Sequence, residues 1–276
     1  MNCEKDETKT ESHDEAPKGV CPHHNHAGSS DAMKAHADAT KAHADAVKAC
    51  PSSAQTEQSA VVNDPAAKAL LQGAHEKTSR WGNDFKGVTA DLILNQNGTE
   101  YKGKVSLISA KETDVTLDVG ADGEVLLGWV KNQVGMIAAH RASRPFEESD
   151  GKYPITFTQE PEGHPLGRQI VIHADGMNSR YRIKDGRIQQ IFRDVGRMRF
   201  TINVEEAMTT KDNKFLTTKY VVYYFSKDGN ITQVESFTDT PFEMNGVYVP
   251  GTRRIILVEA GAVIVRTLTF KNYQAL

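Results

Sequence analysis

The sequence predicts a mainly β (α+β) fold: one large curved antiparallel sheet, an unclosed barrel, with two covering helices and a disordered or partly helical N-terminal tail. Three observations predict it. From Val88 onward, strands recur at intervals of about ten residues between short Asn-Gly, Asp-Gly and Gly turns. Only the segments 65–81 and 124–139 have helical spacing, too few for a βαβ architecture, and the hairpin turns argue against one. Residues 1–63 hold all three cysteines, six of the ten histidines and no aromatic side chain, whereas no cysteine follows Cys50. The chain therefore divides into a low-complexity tail, 1–63, and a single curved-sheet domain, 64–276.

The tail has six Lys and ten Asp/Glu, a charge-rich, apolar-poor balance that burial cannot hold in order. Lys-Ala-His-Ala-Asp-Ala-(Thr/Val) occurs at 34–40 and again at 41–47. Alanine and lysine favour helix, Ser30 or Asp31 can cap it and Pro51 stops it, so an Ala-rich helix is expected over about 31–49. The repeat puts His36, His43 and Cys50 in one row, with neighbours roughly 10 Å apart, too far to share one ion. Cys21, His23, His24 and His26 offer the complementary ligands for zinc or copper. Three readings stay open: a solvated spacer, a metal site, or a Cys21–Cys50 disulfide, which excludes the metal because a ligating sulfur must be a free thiolate.

At the other end of the tail, Met1-Asn2-Cys3 has no apolar h-region, so no export signal is read. Cys3 followed by an acidic, Ser/Thr/Lys-rich tether nevertheless resembles the start of a mature bacterial lipoprotein. Peripheral membrane attachment through Cys3 is thus one expectation, and an ordinary disordered N-terminus the other.

In the body, Asp64-Pro65 is a helix start: an N-cap oxygen followed by proline at the first helical position. Ala67, Leu70, Leu71, Ala74, Thr78 and Trp81 then form one apolar face, and Gly82 ends the helix. Val88, Ala90, Leu92 and Leu94 alternate with polar residues up to the Asn97-Gly98 hairpin, beyond which Tyr101, Val105 and Leu107 continue. A third strand follows at 115–119, a turn at 120–123 and the second helix at 124–139. The remainder is strand and turn, with Asp185-Gly186, Asp228-Gly229 and Asn245-Gly246 as punctuation. Such a sheet needs its concave face filled. If the two helices fill it, the body is a solid scaffold; if they leave a gap, it is a cup for an apolar ligand.

Several functions are excluded by pattern. A net charge of −3 with no Lys/Arg-dominated run gives no reason to expect nucleic acid. No stretch approaches the roughly 18–20 apolar residues of a transmembrane span. No Gly-x-Ser-x-Gly elbow, phosphate loop or HExxH occurs, and Glu205-Glu206, adjacent on a strand, should face opposite sides. The body requires no cofactor; zinc or copper would concern the tail alone. The densest polar group, His140-Arg141 with Arg144 and Phe146, could rim a cup and hold a headgroup, with Trp129 on the same helix. Helix C-capping by cationic side chains is the alternative. Arg193-Asp194, with Arg197 and Arg199 close by, could be an anion site, and the other reading is an exposed strand face of alternating charge.

The stretch from Leu70 to Asp91, with Trp81, Phe85, Gly87 and Ala90-Asp91, resembles an uncharacterised bacterial and plastid family classed as a domain of unknown function. So do His140-Arg141 with Phe146-Glu147, Tyr181-Arg182-Ile183, and Tyr248-Val249-Pro250 with Arg253-Arg254. The resemblance covers about residues 66–270 and implies no activity. The order of elements is also similar to the lipoprotein-localisation fold, which implies an unclosed barrel holding acyl chains under a helical lid. The expectation is a non-enzymatic binding or carrier protein for an apolar or amphipathic, lipid-like small molecule, in the periplasm or cell envelope. The alternative is a metal-binding protein acting through its tail.

Overall fold

The computed structural model describes residues 61–276 apart from 110–111, 121–122, 162 and 197. The expected helix at 31–49, the tail ligands Cys21, His23, His24, His26, His36, His43 and Cys50, and Cys3 all lie outside the described residues.

Helix α1 (Pro65–Glu76) starts where Asp64-Pro65 requires: the Asp64 carboxylate accepts hydrogen bonds from the amides of Ala66 and Ala67. It stops short of the expected Trp81. Beyond Lys77 the backbone finds a better partner than another helical turn. The Ser79 amide donates to the Phe215 carbonyl and the Phe215 amide to that of Lys77, at 2.8 and 2.7 Å. Trp81 keeps the apolar spacing but satisfies it by entering the core, its indole N–H donating to the Tyr248 carbonyl.

The strands are β1 (Val88–Gln96), β2 (Thr99–Leu107), β3 (Thr113–Leu117), β4 (Ile155–Phe157), β5 (Arg168–Ile172), β6 (Arg180–Lys184), β7 (Arg187–Asp194), β8 (Arg199–Thr209), β9 (Phe215–Phe225), β10 (Ile231–Met244), β11 (Val247–Glu259) and β12 (Ala262–Ala275). Helix α2 (Glu124–Arg141) separates β3 from a short 3-10 turn (Asp150–Lys152) that precedes β4. All twelve strands form one antiparallel, unclosed sheet in the order β3-β2-β1-β12-β11-β10-β9-β8-β7-β6-β5-β4. Tight turns set the hairpin registers: Asn97 and Gly98, Asp185 and Gly186, and Asn245 and Gly246 all have positive φ, as two-residue type I′ turns demand. The free edge of β4 is sealed by the chain entering α1, since the Asp64 amide donates to the Ile155 carbonyl and Asn63 Oδ1 accepts from the Ile155 amide.

Two cores form on this sheet rather than one. Helix α2 buries Trp129, Val130, Val134 and Ile137 against β1–β3 and β8–β12. Helix α1 buries Ala67, Leu71 and Ala74 against Ile155, Ile170, Ile172 and Ile183 of β4–β6. The seam between the cores falls at β7 and β8, which pair only from Gln190 opposite Asn203 to Asp194 opposite Arg199. Beyond that point Arg187–Gln189 and Val204–Thr209 are no longer paired with each other, while β8 stays paired with β9 as far as Thr209 opposite Phe215. The sheet forks there.

Candidate functional site

A cavity of about 240 Å³ occupies the fork. Its apolar wall joins the two cores: Ile188 and Ile191 pack against the α1 side, Ile202 against the α2 side, and Ile191 and Ile202 are cross-strand partners. The roof is the short connection Thr78–Arg80 leaving α1, together with Ile137, His140 and Arg141 from the last turns of α2. Thus the early end of α1, caused by the bridge to Phe215, lays the connecting segment over the gap. Each helix packs on its own part of the sheet, and space remains between them at this seam.

The charges around the cavity are unevenly matched. Asp239 is committed to Arg253, which donates from Nε at 2.9 Å and from Nη2 at 2.7 Å, a bidentate pair with Arg253 only 4% exposed. Burial alone would lower the Arg253 guanidinium, but Asp239 more than offsets it and holds the pKa above its ordinary value. Glu205 and Glu206 are both committed to Lys219, at 3.2 and 3.7 Å. This corrects the expectation that these adjacent carboxylates face apart. Register shifts between Val204 and Glu206 and again before Ala207 break the alternation, and both side chains reach the same ammonium.

The remaining cations have no such match. Arg80 spends Nη1 on the His75 carbonyl at 2.7 Å, while its buried Nε has no hydrogen-bond partner among the described residues. Burial and then the neighbouring Arg144 push its pKa down to about 10. Arg141, half-buried, is likewise lowered to about 10, by desolvation first; Asp239 opposes the shift and Arg253 adds to it. Both stay charged at neutral pH. Arg187 lies over the Phe215 ring at 5.2 Å. Among the described residues, none of Arg80, Arg141, Arg144 and Arg187 has a carboxylate at ion-pair distance.

Of the residues singled out from sequence, His140 and Arg141 line the cavity; Trp129 and Phe146 do not. Trp129 is in the α2 core under the Arg266 guanidinium at 4.6 Å, and that arginine is held by Glu259 and Gln96. Phe146 is buried beside α1, edge-on to His75. Arg193, expected on an exposed face, instead donates to the Tyr181 hydroxyl at 2.8 Å from a part-buried position, and Arg199 pairs with Asp194 at 3.2 Å. Arg80, Arg187 and the three isoleucines had no local signal: what gathers them is the fork. Among the described residues no group of three or more His, Cys, Asp or Glu is placed to hold a metal. Nor is any helix there long and apolar enough to cross a membrane.

Comparison with solved structures finds a LolA superfamily protein from Nitrosomonas europaea, at 12% identity and a TM-score of 0.32, covering 76% of this chain and 93% of that one. A Vibrio parahaemolyticus domain, provisionally assigned to outer membrane lipoprotein sorting, matches at 7% identity and a TM-score of 0.30, covering 76% and 92%. A DUF1329 family protein from Desulfovibrio piger matches at 9% identity and a TM-score of 0.23, covering 76% and 92%. No curated protein matches the sequence. A family profile, however, spans residues 62–276, which takes in the entire sheet, both helices and the seam, and by that match the chain belongs to the family of proteins of unknown function designated DUF3386.

Proposed function

We propose that this domain is a non-enzymatic binding protein that takes the apolar part of one small amphipathic molecule into the seam between its two cores. The observation that supports the reading is the cavity at the β7–β8 fork, walled by Ile188, Ile191 and Ile202 and open to solvent past the exposed His140 and Arg144. Its size suits one chain. An engineered apolar cavity of roughly 150 Å³ already binds benzene, and pockets for drug-sized ligands begin near ~300 Å³; about 240 Å³ falls between them. The charge-rich tail beginning at Cys3 fits a tether holding such a domain near an envelope membrane.

The test is titration with the neutral fluorophore N-phenyl-1-naphthylamine. Saturable binding at about one site per chain is expected, abolished by Ile202→Trp, which fills the seam, and retained by Val263→Thr at an exposed position. Equal dye binding by wild type and Ile202→Trp would reject the reading.

A further inference from the structure

The apolar wall accounts for only half of the cavity. Every carboxylate lining it is already matched, Asp239 by Arg253 and Glu205 and Glu206 by Lys219, and Lys219 itself is not part of the lining. Among the described residues, that leaves Arg80, Arg141, Arg144 and Arg187 around a space lined by no unmatched carboxylate. Burial costs these guanidiniums hydration, and Asp150 near Arg80 and Asp239 near Arg141 offset that cost only in part, since both arginines remain lowered; an entering anion would offset more of it.

Resting on the reading above, we propose that Arg141 and Arg144, together with Arg80, form an anion subsite at the mouth of the seam cavity, so that the ligand is a single-chain amphiphile with a small anionic head group, a carboxylate or a phosphate ester. Three features of the geometry agree with this. The arginines come from separate elements that converge on the cavity: Arg80 from the roof connection, and Arg141 and Arg144 from the end of α2 and the loop after it. Arg80 keeps a buried Nε–H with no partner among the described residues, a donor that an entering oxygen would satisfy. And the guanidinium fork matches a carboxylate or phosphate in a planar, two-point fashion that an ammonium does not offer. Polarity is then ordered along the ligand, with the head group at the exposed Arg144 and the chain directed toward Ile188, Ile191 and Ile202. Burial first, then Arg144 beside Arg80 and Arg253 beside Arg141, lowers these two guanidinium pKa values, and an arriving anionic head group opposes both shifts.

The test is displacement of N-phenyl-1-naphthylamine from the full chain by decanoate, decyl phosphate, decanol and inorganic phosphate, at pH 8 and low ionic strength. Decanoate and decyl phosphate are expected to displace the dye at least about tenfold more tightly than decanol, the stronger of the two identifying the head group. The advantage should shrink steeply with salt. In Arg141→Gln/Arg144→Gln it should fall below about threefold, with decanol unaffected. If that double variant fails to hold the dye, Arg144→Gln alone, exposed and outside both cores, takes its place with a partial loss expected. Equal displacement by decanoate and decanol overturns the anion subsite while leaving the apolar cavity standing. Inorganic phosphate competing as well as decyl phosphate overturns the amphiphile. No binding of dye, decanol or decanoate rejects the cavity reading itself.

Discussion

Arg253 shows how one side chain can matter to the whole inner surface. It is bound in bidentate fashion to Asp239, donates from Nη1 to Gln133 Oε1 and lies over the Phe237 ring. Gln133, fully buried in α2, has no partner for Nε2 among the described residues, so the cluster has no slack. Asp239→Ala would leave a buried guanidinium uncompensated, and a destabilisation of about 3–5 kcal/mol is expected in urea unfolding. Arg253→Met/Asp239→Leu should recover most of it; a single-variant loss below about 1 kcal/mol would show the pair to be solvated. His75 makes the companion prediction about pH. Burial first, then the Arg80 charge, lowers its pKa below the ordinary 6.5, opposed by its hydrogen bond to the Arg144 carbonyl and by Asp150. Below about pH 6.5 the unfolded chain therefore binds a proton that the folded chain resists, and stability falls as pH drops through that value toward the lowered folded one. At higher pH both states hold a neutral ring and the contribution is flat. His75→Gln should show a shallower loss of stability than wild type between pH 7 and pH 5 in denaturant midpoints; parallel slopes would refute the assignment.

At the scale of single elements, one substitution is expected to act with opposite signs at two glycines. In α1, a Cβ added at Gly73 meets nothing, so Gly73→Ala should stabilise by about 0.5–1 kcal/mol through helix propensity. In β2, a Cβ at Gly103 would lie 1.9 Å from the Thr116 carbonyl oxygen across the β2–β3 pair, and backbone must move. Because β3 is the edge on which α2 packs, Gly103→Ala should destabilise by about 1–3 kcal/mol; thermal melts of the two variants on either side of wild type are the check. These glycines also mark where sequence informs and where it is silent. The Asp64-Pro65 helix start and the Asn97-Gly98, Asp185-Gly186 and Asn245-Gly246 turns were legible, because each is a local backbone requirement that few residues meet. The end of α1 was not: Thr78 and Trp81 continue its apolar spacing, and only the pairing of Phe215 with that segment, far along the chain, ends the helix. The bulges around Glu206 were equally hidden, since they are defined by a partner strand. His140 and Arg141 could be picked out as a polar cluster after a helix, but Arg80, Arg187 and Ile202 become neighbours only through the fork.

For the molecule as a whole, the two cores mean that one continuous sheet need not behave as one cooperative unit. The halves are joined by the short paired stretch of β7 with β8, by the Thr78–Ser79 link to Phe215 and by the Trp81 amide donating to the Arg141 carbonyl. Each of these ties borders the cavity, so the site sits on the joint. Elements with few bonds to the rest open locally at a lower free energy than global unfolding. The amides of β4–β6, which pack in the α1 core and not the α2 core, are therefore expected to share one opening free energy, lower than that of β11 and β12, in native-state hydrogen exchange. A ligand bridging Ile188 on β7 and Ile202 on β8 ties the halves together, stabilising the joined state by RT ln(1 + [L]/Kd), about 2.7 kcal/mol at a hundredfold excess over Kd. Saturating decanoate should accordingly slow exchange in β4–β7 and leave the slowest amides of β11–β12 changed only by the global increment. Equal protection of the two halves without ligand would mean that the seam transmits folding as well as the strands do, and that the cavity is a packing gap rather than a joint.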